Sequence, residues 1–465
     1  MIGSGINQFF ALRYPSVHIV ALVAELLAYP CGVFLAKVLP LYTVDLGGLG
    51  KWCINPDRHF NIKEHTVITI MSNVSFGYGS ADSTQIIQAG KAFYGFDLKP
   101  GFSILIVLCC QMLGFGVAGL SGPWLVEPAS IIWPGVLSNC ALLSTLHSRS
   151  NATAGGWRIS RLRFFMYVMV GAGVWYFFPG LMFVALSYFT WVCWIAPKNL
   201  IVNHLFGMVT GLGLSPITFD WSQVAYNTNP LLSPAWAGRS KSSSTLILLT
   251  ITAINVFAGF ALFFWIVVPG LYYANVWYTA YLPICTADLY DNTALVYNVS
   301  KVLNDDHTFS QAKYEAYSPP FLPATFAFVY GTSFAAITSV PVHIYLWHGK
   351  QIRDALAGRT KLDIHARLIR LYPRTPWYWY GALTLLVMIL AIVMVVVYHT
   401  SLPWWAILLA SLIPAFYMIP CGIIQGITNV NANQLNVLAE FIGGYMFNGR
   451  PLASECLLLF GISSC

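Results

Sequence analysis

The sequence predicts an all-α, polytopic transmembrane helical bundle with several broken or re-entrant helices, and three observations carry that expectation. Hydrophobic residues make up 57% of the 465 and charged ones 9%, against about 25% charged in an ordinary soluble domain. So few charges cannot cover a water-facing surface. The apolar residues fall in long blocks rather than alternating, which fits transmembrane strands poorly. Helices remain, because they satisfy their backbone groups within their own segment. The 16 Trp and 25 Tyr suit two interfacial aromatic belts.

A hydrocarbon core about 30 Å thick takes about 20 apolar residues per helix. In chain order, spans are expected at Val17–Pro40, Gly101–Gly122, Trp124–Leu146, Phe164–Phe189, Thr252–Asn275, Phe321–Trp347, Trp377–Tyr398 and Trp404–Ile427. Thr66–Tyr78, Trp191–Leu214 and Leu435–Met446 are apolar but short or broken, the second by Pro197, Asn203, His204 and a run of Gly. Interrupted helices at membrane depth are tolerated where protein or a cavity buries them, in carriers near the substrate path; the plainer reading is a kinked packing helix.

The net charge of +7 gathers in loops beside the spans, the positive-inside pattern and not a nucleic-acid signal. Gly349–Pro376 holds seven Lys/Arg against Asp354 and Asp363, and His147–Arg163 holds four Arg and no acid, so both are expected to be cytoplasmic. Tyr281–Pro320 holds five acids against Lys301 and Lys313, with the sequon Asn298-Val299-Ser300; it is expected on the other side, with Asn298 a glycosylation site. The ten Cys form no CxxC pair and read as core thiols. There is no phosphate loop, no HExxH and no GxSxG elbow. No enzyme chemistry, cofactor or metal site is therefore expected, and an ion gradient is left as the energy source.

Several stretches then resemble one family. INPDRHFNIKEHTVITIMSNVSFGYG (Ile54–Gly79), WVCWIAPKNLIVNHLFGMVTGLGLSPITFDW (Trp191–Trp221), YSPPFLPATFAFVYGTSFAAITSVPVH (Tyr317–His343), LPWWAILLASLIPAFYMIPCGIIQGITN (Leu402–Asn429) and LNVLAEFIGGYMFNGRP (Leu435–Pro451) are similar to the oligopeptide transporter (OPT) family, in particular its fungal small-peptide transporters. The resemblance divides the chain into family-like parts, 3–237 and 254–451, an atypical insert at 238–253 and an atypical end at 452–465. Three departures stand out. Asn55-Pro56-Asp57-Arg58-His59-Phe60 replaces the family's Asn-Pro-Gly-Pro-Phe; the tract Gly238–Ala253 reads as translated intron; and the Lys-Ile-Pro-Pro-Arg motif is absent. The resemblance implies that a span precedes Met1 and several follow Cys465, so that this partial chain alone is not expected to transport.

Ionisable groups inside spans cost roughly 2.5–3.5 kcal/mol at a helix centre, so each requires a reason. Glu64 and His65 close the Asn55, Pro56 and Lys63 motif region at a span entrance, where a carboxylate beside an imidazole can pass protons; the plainer reading is an interfacial cap pairing with Lys63. Glu127, between two prolines, is a path candidate or a helix N-terminal carboxylate. Asn203 and His204 could line a path or make an interhelical hydrogen bond. Glu440 lies deep, near a Gly pair, and Glu25 is set aside because relatives accept an amide there. The expected function is secondary active, proton-coupled symport of small oligopeptides or glutathione-like peptides, in the plasma membrane or else a vacuolar or endosomal one. The expected partners are peptide, protons and the bilayer, with no nucleic acid. The rivals are a metal-chelate or siderophore carrier of the same family and a non-transporting fragment from a defective gene model.

Overall fold

A computed structural model of the chain describes residues 2–11, 19–45, 51–55, 58–76, 87–88, 90–91, 99–128, 131–148, 153, 156–214, 217–220, 254–305, 308–356, 364–369, 371–398, 400, 402–428, 435–447, 449–450, 453–454 and 456–457. Pro56, the insert 238–253 and most of 452–465 lie outside the described residues.

The described chain is mainly helical. Helix α1 is Ile2–Ala11, α2 Ala21–Val38, α3 Ile62–Phe76, α4 Pro100–Leu125, α5 Pro134–His147 and α6 Arg161–Phe177. After two short helices, α7 Trp191–Ile195 and α8 Leu200–Phe206, comes α9, Ile254–Tyr273. Next are α10 Gln311–Tyr317, α11 Ala324–Leu356, α12 Ile364–Ile369, α13 Trp377–Val397, α14 Trp404–Thr428 and α15 Leu435–Met446. Among the described residues, seven helical segments are long and apolar enough to cross a membrane: α2, α4, Arg161–Met182, α9, Ala324–Lys350, α13 and α14. The chain is an integral multi-pass membrane protein, as its composition predicts.

The largest core lies along the seam of α4 and α13, where Phe102, Ile106, Leu113, Val387, Ala391 and Met394 are buried. Small residues set how closely these helices approach: a Cβ at Gly116 would collide with the Thr384 hydroxyl, and one at Gly119 with the Tyr380 ring. Close backbone approach is how membrane helices pack when lipid offers no hydrophobic drive between them.

One expected span is corrected. Trp124–Leu146 is not a single helix: α4 runs on to Leu125, and α5 begins only at Pro134. Between them Trp133 sits at φ 52°, and the N–H groups of Ile132 and Trp133 both donate to the Gly426 carbonyl, at 3.1 and 2.8 Å. Hydropathy registers the apolar content here but not the turn. At about 1.5 Å per residue, the 14 residues of α5 reach about 21 Å, short of a full crossing.

Other breaks agree with expectation. Trp191–Leu214 forms only α7 and α8 before an unwound stretch. Two helices also carry a wide π-type turn, Phe178–Met182 around Pro179 and Ala261–Val267. The loop between α2 and α3 holds a small antiparallel hairpin, β1 Tyr42–Asp45 against β2 Lys51–Ile54, in register Tyr42↔Ile54; the sequence reading has no strand there.

Candidate functional site

The site is built where α2, α3 and the end of α5 meet. Helix α3 starts with one half of a capping box: Asn61 precedes it, and the Glu64 carboxylate accepts from the Asn61 backbone N–H at 3.1 Å. That bond turns Glu64 outward, where it is exposed. One residue on, about 100° around the helix, His65 points inward and is fully buried. Its Nδ1 lies 2.9 Å from Nε2 of His147, and its Nε2 lies 2.8 Å from the Glu25 carbonyl of α2. A carbonyl only accepts, so Nε2 of His65 bears a proton. In the neutral pair, His65 Nδ1 then accepts from His147 Nε2–H.

Aromatic rings enclose the two imidazoles. Tyr29 stacks on His65 at 6.1 Å and stands edge-on to His147 at 5.2 Å, and Phe60 lies within 5.6 Å of both. Gly32 makes room for Phe60, since a Cβ there would come 2.6 Å from its ring. The Glu25 carboxyl is fully buried, and neither of its oxygens has a hydrogen-bond partner among the described residues. Beside this cluster a cavity of about 420 Å³ is lined by Cys31, Gly32, Asn55, His59, Phe60 and Glu64, among others.

Asn55 holds the floor of the site. At φ 59°, its side-chain amide donates to the carbonyls of Ala36 and Leu39 at 2.8 and 2.9 Å. It caps the end of α2, whose last carbonyls have no partner within the helix. Lys63 does not pair with Glu64; its ammonium lies 5.5 Å from the centre of the Tyr372 ring.

The remaining candidates stand elsewhere. Glu127 forms an ion pair with Arg374 at 2.8 Å. Asn203 donates to the Pro197 carbonyl at 2.9 Å, and the His204 ring meets Tyr272 edge-on at 5.4 Å. Glu440, on α15, accepts from the Tyr330 hydroxyl of α11 at 2.6 Å. Asn298 is exposed in a folded loop, its side-chain oxygen accepting from the Ser300 N–H at 3.1 Å.

The structure adds residues that sequence reasoning passes over. His147 reads as the first residue of a basic loop, and Glu25 as a tolerated oddity. Asp220 is buried and accepts from the buried Ser187 hydroxyl at 3.0 Å. The signal available for Glu25 was its charge at the centre of an apolar run; His147 offered none, because its partner is 82 residues away.

A family model described as OPT oligopeptide transporter protein matches residues 1–465. The chain is 43% identical over 473 aligned residues to Glutathione transporter 1 of Schizosaccharomyces pombe, covering 99% of this chain and 53% of that protein. It is 38% identical over 470 residues to Oligopeptide transporter 1 of Saccharomyces cerevisiae, covering 99% and 56%. To Oligopeptide transporter 4 of Arabidopsis thaliana it is 33% identical over 471 residues, covering 99% and 62%. The chain thus spans about half the length of the first two relatives.

Proposed function

The chain belongs to the OPT oligopeptide transporter family, and from that premise we propose that it serves the symport of small oligopeptides or glutathione-like peptides with protons. The observation that carries the peptide reading is the match along the whole chain, with relatives named for glutathione and oligopeptides. The breaks in Trp191–Leu214 and at Trp133 support a carrier, since unwound backbone at membrane depth belongs beside a path.

Proton coupling is proposed from the residues. His65, fully buried and bonded at both ring nitrogens, is the first proton-path residue, and Glu440, bonded to Tyr330, the second. Glu64 and Glu127 are assigned to the path's rim, because a cap and an ion pair already occupy them. Asn203 and His204 are assigned to its unwound stretch. One proton crossing 100 mV supplies about 2.3 kcal/mol, enough for useful accumulation of peptide. The plasma membrane is the proposed location.

The test is uptake of labelled tetrapeptide, glutathione and chelated iron by transport-deficient cells expressing the full-length transcript. Saturable uptake of tetrapeptide or glutathione that collapses with a protonophore is expected. Uptake of chelated iron alone would replace the peptide reading with that of a metal-chelate carrier.

A further inference from the structure

Three helices meet at one hydrogen-bonded chain. His65 of α3 touches His147 of α5 through Nδ1 and the Glu25 carbonyl of α2 through Nε2. The Glu25 side chain departs from that same residue and ends in a carboxyl that is fully buried and unpartnered among the described residues.

The neutral pair leaves Nδ1 of His147 as a free base. A proton taken up there lets the proton on Nε2 of His147 pass across the 2.9 Å contact to Nδ1 of His65. His147 ends neutral, protonated on Nδ1; His65 ends as an imidazolium, still donating from Nε2 to Glu25. No heavy atom changes partner. A second proton would put two cations in contact, which the first opposes, so the pair has room for one.

Few ionisable groups face this pair. Helix α2 brings Glu25 and Tyr29, whose ring contacts both imidazoles. The approach to α3 brings His59, and His59, Lys63 and Glu64 are all exposed. Helix α5 adds only the exposed Cys140; α6, packed on α5, brings Arg161 and Arg163 in its first turn and α14, also packed on α5, brings Tyr417 and Cys421, while α1, packed on α3, carries no ionisable side chain.

We propose that His65 and His147 form a one-proton loading site, held to α2 through the Glu25 carbonyl. This rests on the transport reading above for its purpose, not for its chemistry. Because the three partners sit on three helices, loading and unloading bear on how α2, α3 and α5 hold together.

Two measurements test it. In protein labelled with 15N-histidine and placed in lipid nanodiscs, the ring resonances of His65 and His147 are titrated by NMR over about pH 5 to 8. Linked titration is expected, with one proton taken up per pair, and His147→Gln should leave His65 titrating as a single site. Independent curves, or no titration of either ring, would overturn the proposal. In proteoliposomes of protein expressed from the full-length transcript, a one-proton site predicts that peptide accumulation changes about tenfold per unit of imposed pH gradient. His147→Gln should flatten that dependence; an unaltered profile would overturn the proposal. Absence of peptide uptake by the unmutated protein at every pH would count against the transport reading alone, and the titration would still decide the pair.

Discussion

Glu64 and His65 are neighbours in the chain and opposites in the fold. The helix turns about 100° between them, so one closes the first turn from outside while the other is buried against α2 and α5. The sequence makes the pair conspicuous but cannot divide the roles, because the dividing contact comes from His147. Asn55 is legible as part of a family motif, yet its work at the end of α2 depends on a left-handed backbone that no motif displays. Two hydrogen bonds to α2's last carbonyls are worth about 1 kcal/mol each, and Ala in this conformation adds roughly 1 kcal/mol of strain. Asn55→Ala should therefore lower stability by about 2–3 kcal/mol in reversible unfolding in detergent. Asn55→Gly, which loses the bonds without the strain, should lose less. Equal losses would show that the backbone conformation is not the cause.

Long, strongly apolar helices were readable from composition, because each one must satisfy its own backbone in lipid. The failures fall where backbone bonds leave the helix. Trp133 and Ile132 give their N–H groups to Gly426, a contact across nearly 300 residues that no hydropathy window contains. The loop from Tyr281 to Pro320 is another element whose order the sequence conceals. It is tied around Asp291, whose carboxylate accepts from the Thr293 hydroxyl, the Leu295 and Thr293 N–H groups and the Tyr317 hydroxyl. The Thr293 hydroxyl bond is the main cause that holds this carboxyl at about 2, below its usual 3.8, although burial opposes the shift. A lowered folded value means that the bonds favour the ionised form. Their contribution is full above about pH 4 and is lost as pH falls through about 2. Limited proteolysis should find the loop intact at about pH 5 and cut progressively towards pH 2. Asp291→Asn should expose it at every pH; a variant loop as resistant as the original would remove Asp291 from this role.

At the scale of the molecule, charge asymmetry fixes the expected topology. The loop carrying Asp291 and Asn298 is assigned to the extracytoplasmic side, and the basic loop after α11 to the cytoplasm. Expression in a eukaryotic cell should therefore give a glycosidase-sensitive mass shift that Asn298→Gln abolishes. Cysteine labelling that places residue 298 in the cytoplasm would reverse the assignment. Membership of the family was legible from ordered motifs, whereas the meeting of α2, α3 and α5 was not, since pairings between distant helices leave no periodic trace.

The acidic loop also has a mechanical consequence. It bonds to the chain on both sides of one antiparallel helix pair: Tyr290 exchanges backbone bonds with Phe321, just before α11, and Phe309 donates to Gly449, just after α15. The Tyr330–Glu440 bond lies six residues further in on each helix. That end of the pair is thus a fulcrum, and α11, 33 residues long against the 12 of α15, is the lever. A tilt of about 10° at the pinned end would carry Leu356 through about 8 Å, taking a rise of about 1.5 Å per residue. With α11 moving as one rod, small rearrangements on the loop side would be amplified at its far end, where the basic loop begins.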